Sequence, residues 1–165
     1  MAKQKEVKTN AMRILDRLKI SYTHQSYECE EFVDGIQTAD RLGLPHEKVY
    51  KTLVTLGASK QYAVFVLPIE AELDMKKAAK AVGEKSVSMI PVKDITAVTG
   101  YVRGGCTAIG MKKQYRTVIS DTAKELEQMY VSGGKIGCQI MLSPQDLCKA
   151  SGGSFGDIIS ENPKM

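Results

Sequence analysis

Along this chain the spacing of apolar positions changes several times, and each change marks an element. In residues 5–19, Val7, Ala11, Ile14, Leu15 and Leu18 recur every three or four positions, which predicts an amphipathic opening helix. Residues 22–27 read as a strand. Residues 35–42 read as a short helix stopped by Gly43, with Pro45 opening the next turn. Residues 50–56 and 62–67 are rich in β-branched and aromatic side chains and are separated by GASKQ, which predicts an antiparallel hairpin. Residues 74–82 predict a helix begun by Asp74 and ended by Gly83. A short strand near Val87, a helical turn led by Pro91, a glycine-bearing loop and a strand over 117–120 follow. Thr122 and Glu125 stand at capping-box spacing, so residues 121–130 are expected to be helical. A strand over 138–142 leads into a helix whose start, Ser143-Pro144-Gln145-Asp146, combines an N-cap serine, an early proline and an acidic third position. Strands that alternate irregularly with helices, one hairpin among them, predict an α/β fold of the mixed α+β kind, not a doubly wound parallel sheet.

The 165 residues fit a single domain, 1–165, with 43% apolar and 25% charged side chains, ordinary for a soluble globular protein. Apolar runs such as AVFVL (63–67) fall far short of the ~20 residues of a membrane helix. The basic start MAKQKEVKTN is not followed by the apolar core of an export signal, so a cytoplasmic protein with no membrane partner is expected. Cys29, Cys106, Cys138 and Cys148 lie far apart, with only His24 and His46 to join them, so neither a zinc site nor another metal or cofactor is expected. The net charge of +4 is a mild basic bias. Lys76, Lys77, Lys80, Lys112, Lys113 and Arg116 form a phosphate-facing patch if the fold gathers them, and otherwise are solvated faces.

The stretch GYVRGGCTAIGMKK (100–113) carries Gly104, Gly105 and Gly110, which suit either a structural turn or a loop whose backbone N–H groups meet an oxygen-rich ligand. Its spacing is neither the dinucleotide fingerprint nor the P-loop. No serine-nucleophile signature or catalytic triad stands out. An enzyme built this way positions and polarises its substrate and supplies no nucleophile of its own.

Together with VYKTLV (49–54), VSGGKIG (131–137) and LSPQDL (142–147), that loop resembles the YbaK/EbsC family, free-standing proteins that deacylate mischarged transfer RNA and are similar to the editing insertion of bacterial prolyl-tRNA synthetases. The resemblance runs from the first helix to the SPQDL segment. It implies a curved, mixed, partly barrel-like sheet surrounded by helices. It implies removal of cysteine from Cys-tRNA(Pro) or Cys-tRNA(Cys), with the substrate's own thiol attacking the ester. The partners it implies are the acceptor end of the aminoacyl-tRNA and, transiently, prolyl-tRNA synthetase.

By the same resemblance, Lys51 is the functional lysine, a cation for the terminal adenosine or its phosphate; from the residues alone it is a solvated strand lysine. Gly105 and Gly110 bracket the N–H groups offered to a developing oxyanion, and Thr107 contributes a hydroxyl. Tyr27 matches the active-site tyrosine. Ser132, Gly133 and Gly134 are expected to form a second, glycine-bearing wall of the pocket. Asp146 matches the functional aspartate, although capping of the last helix accounts for it equally. Thr107-Ala108 stands where Ser-Pro is common and Gln139 where some members have serine, so loop shape and pocket size are expected to differ. Deacylation of another small amino acid such as alanine, and a non-catalytic tRNA-binding module, are the rival readings.

Overall fold

In the computed structural model, residues 8–26 and 35–160 are described. Tyr27 and Cys29 lie outside them, as do residues 5–7 of the expected first helix. That helix, α1 (Asn10–Arg17), starts where the Thr9 hydroxyl accepts the Met12 N–H at 3.2 Å, and it buries Ala11, Met12 and Leu15 on one face. The expected strand follows as β1 (Thr23–Ser26), and α2 (Gly35–Leu42) ends at Gly43, whose left-handed φ of +71° favours glycine. After a 3₁₀ turn at His46–Lys48, β2 (Tyr50–Gly57) and β3 (Tyr62–Pro68) pair antiparallel, from Tyr50 opposite Pro68 to Leu56 opposite Tyr62.

Helix α3 (Met75–Ala81) is capped by the Asp74 carboxylate, which accepts the N–H groups of Lys76 and Lys77 at 3.0 and 2.9 Å. Strand β4 (Val87–Met89), a 3₁₀ turn at Val92–Asp94 and α4 (Ile95–Thr99) lead into the glycine loop, and β5 (Arg116–Ser120) leaves it.

The helix expected over 121–130 does not form. Ser120 caps a 3₁₀ turn, Asp121–Glu125, and the chain then extends into β6 (Met129–Ser132). Met129 and Val131 are buried while Tyr130 and Ser132 are half-buried, the period of two that a strand lying on a core requires. Next come β7 (Cys138–Leu142), α5 (Pro144–Ser151) with Ser143 as its cap, and an unforeseen short strand, β8 (Ser154–Gly156).

Two sheets result. A mixed five-stranded sheet runs β4-β2-β3-β5-β8, antiparallel between β4, β2 and β3 and parallel from β3 onward. An antiparallel three-stranded sheet runs β1-β7-β6. A parallel bridge between Val49 and Tyr130 joins them into one curved, partly barrel-like wall with helices around it, as expected of the fold. The apolar run of β3 reflects burial on both faces. Val64 and Val66 enter the larger core with Leu15, Ile119 and Ile140, while Ala63, Phe65 and Leu67 pack on Ala78 and Ala79 of α3.

Candidate functional site

Strand β4 pairs with only one end of β2, Thr55 to Gly57, and the Val49–Tyr130 bridge holds the other. Between them the edge of β2 lies open, and along it runs a cleft of about 330 Å³. The Val54 carbonyl accepts the Ile90 N–H at 3.3 Å, on the side away from β3. Backbone groups alternate sides along a strand, so the N–H and C=O of Thr52 face that same open edge. The apolar lip is built by Met89, Ile90, Val92 and Ile95, of which Met89 and Val92 are about half exposed.

Lys51 lines the cleft. Burial pushes its ammonium below the ordinary lysine range, and the charge of Glu72 partly offsets this. Because the Val49–Tyr130 bridge is parallel, Lys51 and Ser132 occupy corresponding positions two residues further along their strands, and both reach the cleft. Directly across the β6–β7 ladder from Ser132 stands Gln139. Its Oε1 and the Ser132 Oγ are buried and, among the described residues, have no hydrogen-bond partner. Such atoms are costly to desolvate, and few native structures leave them idle.

The glycine loop contributes Arg103, Gly104 and Cys106 to the cleft. Burial pushes the Cys106 thiol up to about 11, against a weaker opposing hydrogen bond with Thr99, so it is a neutral, poorly nucleophilic group. Gly105 has another task. Its N–H already donates to the Val102 carbonyl at 2.9 Å, and a Cβ there would sit 2.6 Å from the Lys135 Cα. Gly110 faces α1, where its φ is +78° and an added Cβ would strike Ile14 and Asn10. Thr107 is fully buried beneath the loop, its hydroxyl at 3.4 Å from the Ile109 N–H, and the Tyr101 hydroxyl staples the loop by donating to the Ile109 carbonyl at 2.6 Å.

Gly133 likewise serves the scaffold. It donates to the Cys138 carbonyl and accepts the Thr9 hydroxyl, tying the second glycine loop to the start of α1. Asp146 lies in the first turn of α5, its N–H bound to the Ser143 Oγ at 3.1 Å, and is not among the residues lining the cleft. Of the expected site residues, the structure thus brings Lys51 and Ser132 together around the cleft, with Gly105 held between two lining residues. Gly110, Thr107, Gly133 and Asp146 are placed elsewhere. Gln139, Arg103, Thr38 of α2 and the Thr52 backbone join the cleft without having been singled out as ligand groups; a glutamine or threonine within a strand carries no local signal for it.

The basic patch is only partly available. Lys77 binds Asp157 and the Ile159 carbonyl, Lys112 donates to the Ala97 carbonyl, and Arg116 is tied to the Val82 carbonyl. Nor is His46 a cleft residue: its ring bridges Glu70 at 2.6 Å and Asp40 at 2.7 Å, and those carboxylates raise its pKa. Among the described residues, no group of His, Cys, Asp and Glu side chains is arranged to hold a metal ion, and no helix is long and apolar enough to cross a membrane.

Residues 30–150 match the family model described as the aminoacyl-tRNA editing domain. EbsC of Enterococcus faecalis, whose name assigns it provisionally as a Cys-tRNA(Pro)/Cys-tRNA(Cys) deacylase, is 41% identical over 163 residues, covering 98% of this chain and 99% of that one. The uncharacterised YwhH of Bacillus subtilis is 24% identical over 115 residues, 70% of this chain and 73% of its own. Among solved structures, a provisionally assigned trans-editing enzyme for prolyl tRNA synthetase superposes with a TM-score of 0.77 at 17% identity, covering 94% of this chain and 99% of that chain, a likeness of fold.

Proposed function

The chain belongs to the aminoacyl-tRNA editing domain family, in its YbaK/EbsC group, and from that premise and the cleft we infer that it is a trans-acting deacylase that removes cysteine from Cys-tRNA(Pro). The carrying observation is the chemistry of the lining. Among the described residues of the cleft there is no histidine, aspartate or glutamate to act as a general base, and the one thiol, Cys106, is held neutral with a pKa of about 11. A site with two cationic side chains, Lys51 and Arg103, unpartnered neutral polar atoms and no activated nucleophile suits a substrate that brings its own.

A cysteinyl ester does. A free thiol, with a pKa of about 8.5, is a few per cent thiolate near neutrality. Its sulfur attacks the ester carbonyl, forming the C–S bond; the ester C–O bond breaks, the thiol proton passes to the departing ribose oxygen, and a thiolactone leaves. Lys51 holds the oxygen-rich nucleotide end by charge. The N–H of Thr52, on the open edge of β2, is a donor placed for the developing oxyanion, whereas that of Gly105 is engaged. The tRNA acceptor end enters past the apolar lip, and cytoplasmic capture beside prolyl-tRNA synthetase supplies selection among tRNAs.

Amino acid release from Cys-tRNA(Pro), Ala-tRNA(Pro) and Pro-tRNA(Pro), by wild type and by Lys51→Ala, tests the reading. Cysteine-selective release lost in the variant is expected. Equal release of alanine would move the assignment to another small amino acid, and no release of any of the three to a tRNA-binding module.

A further inference from the structure

Gln139 is 7% exposed, yet among the described residues its Oε1 has no hydrogen-bond partner, and the Ser132 hydroxyl directly across the ladder has none either. Packing does not explain this pair, because an apolar side chain of similar size would fill the same space without the desolvation penalty. Both atoms suit a group rich in N–H donors that needs acceptors. An amide oxygen offers two lone pairs, and a serine hydroxyl accepts as well as donates.

Of the parts of an aminoacyl ester, only the α-ammonium has several N–H donors and no lone pair. We propose that Gln139, with Ser132 beside it, forms the amino-group subsite of the cleft, so that the substrate is strung between Lys51 at its nucleotide end and this cross-strand pair at its amino end. The proposal rests on the editing reading given above. It makes Gln139 a determinant of which acyl groups are bound: α-amino acyl groups are accepted, and acyl groups without an amine are poorly held.

The test compares tRNA(Pro) carrying cysteine with tRNA(Pro) carrying 3-mercaptopropionate, which has the same thiol and no amine. Each rate is divided by that ester's uncatalysed rate. Wild type is expected to favour the cysteinyl ester by roughly ten- to a hundredfold, the range of a hydrogen bond to a charged group. In Gln139→Met the preference collapses towards one, and in Gln139→Glu, which keeps the acceptor, it persists. An undiminished preference in Gln139→Met overturns the proposal, as does its loss in Gln139→Glu, which would make the amide an N–H donor.

Should wild type cleave neither ester, the deacylase reading fails and the subsite is still decided by binding. Calorimetric titration with 3′-cysteinylamino-3′-deoxyadenosine and its mercaptopropionyl counterpart needs no turnover. Tighter binding of the amine-bearing compound, lost in Gln139→Met, upholds the subsite, and equal affinities overturn it. Thermal melts of the variants confirm that each is folded.

Discussion

The glycine loop and the β6–β7 wall face the same cleft and are built on opposite terms. The loop is conspicuous in sequence, yet its hydrogen-bonding groups are largely used internally: Gly105 on Val102, Tyr101 on Ile109, Lys112 on Thr99 and Ala97. The wall is ordinary in sequence, four residues of strand against five, yet it holds two buried polar atoms with no partner among the described residues. Gly105 marks where backbone passes close to backbone, and Gly110 where side chains of α1 close on the loop. On the proposed reading, the capacity to bind lies where polar atoms are left over.

That contrast predicts which changes strike stability and which strike activity. The largest effect on folding is expected from Gly105→Ala, because the Lys135 backbone lies 2.6 Å from the new Cβ and cannot rotate away. A loss of about 3 kcal/mol corresponds to a melting temperature lower by roughly 6–12 °C, measurable by calorimetry. Gly110→Ala meets flexible side chains instead of backbone and carries mainly the left-handed φ penalty, about 1–2 kcal/mol. If the loop were a ligand cradle and no more, both would melt like wild type.

On the wall the pattern reverses. Gln139→Leu removes an idle buried acceptor, so its melting temperature is expected to equal or exceed that of wild type while deacylation falls at least tenfold. A melting temperature well below wild type would mean that the amide supports the fold. Lys51→Ala is expected to lower kcat/KM by between about ten- and a hundredfold with little change in stability, because the lysine is half-buried and its charge is already disfavoured there.

The smallest effect concerns pH and lies outside both regions. The pKa of His46 is raised by Glu70 and then Asp40, so its ion pairs stabilise the fold below its ordinary value of 6.5 and the contribution is lost as pH rises through the raised value. Thermal melts from about pH 5.5 to 8.5 should show a slight decline for wild type that is absent in His46→Gln.

How much of this was legible in the chain depends on the range of the interactions involved. The β2–β3 hairpin, the Asp74 cap and the Ser143 cap are local, and the residues that make them are adjacent in sequence. The strand β6 was misread as helix because Thr122 and Glu125 imitate a capping box, while the alternation of Met129 and Val131 is too short to outweigh it. Lys51 and Ser132 were legible through the family motifs. Gln139 was visible only as a change of pocket size, since its idle oxygen depends on what the fold does not place beside it. The Thr52 backbone was not legible at all: its exposure exists because β4 stops short, a fact of pairing rather than of composition.

The central claim is that chemistry resides on the strand wall and β2 edge, and that the glycine loop around them is scaffold. Single-turnover release of cysteine from Cys-tRNA(Pro) by Lys51→Ala, Gln139→Leu and Gly110→Ala, each at a temperature where melts show it fully folded, tests that claim most directly. The account predicts at least a tenfold loss for the two strand variants and near wild-type release for the folded loop variant. A loss in Gly110→Ala as deep as in Lys51→Ala would contradict it.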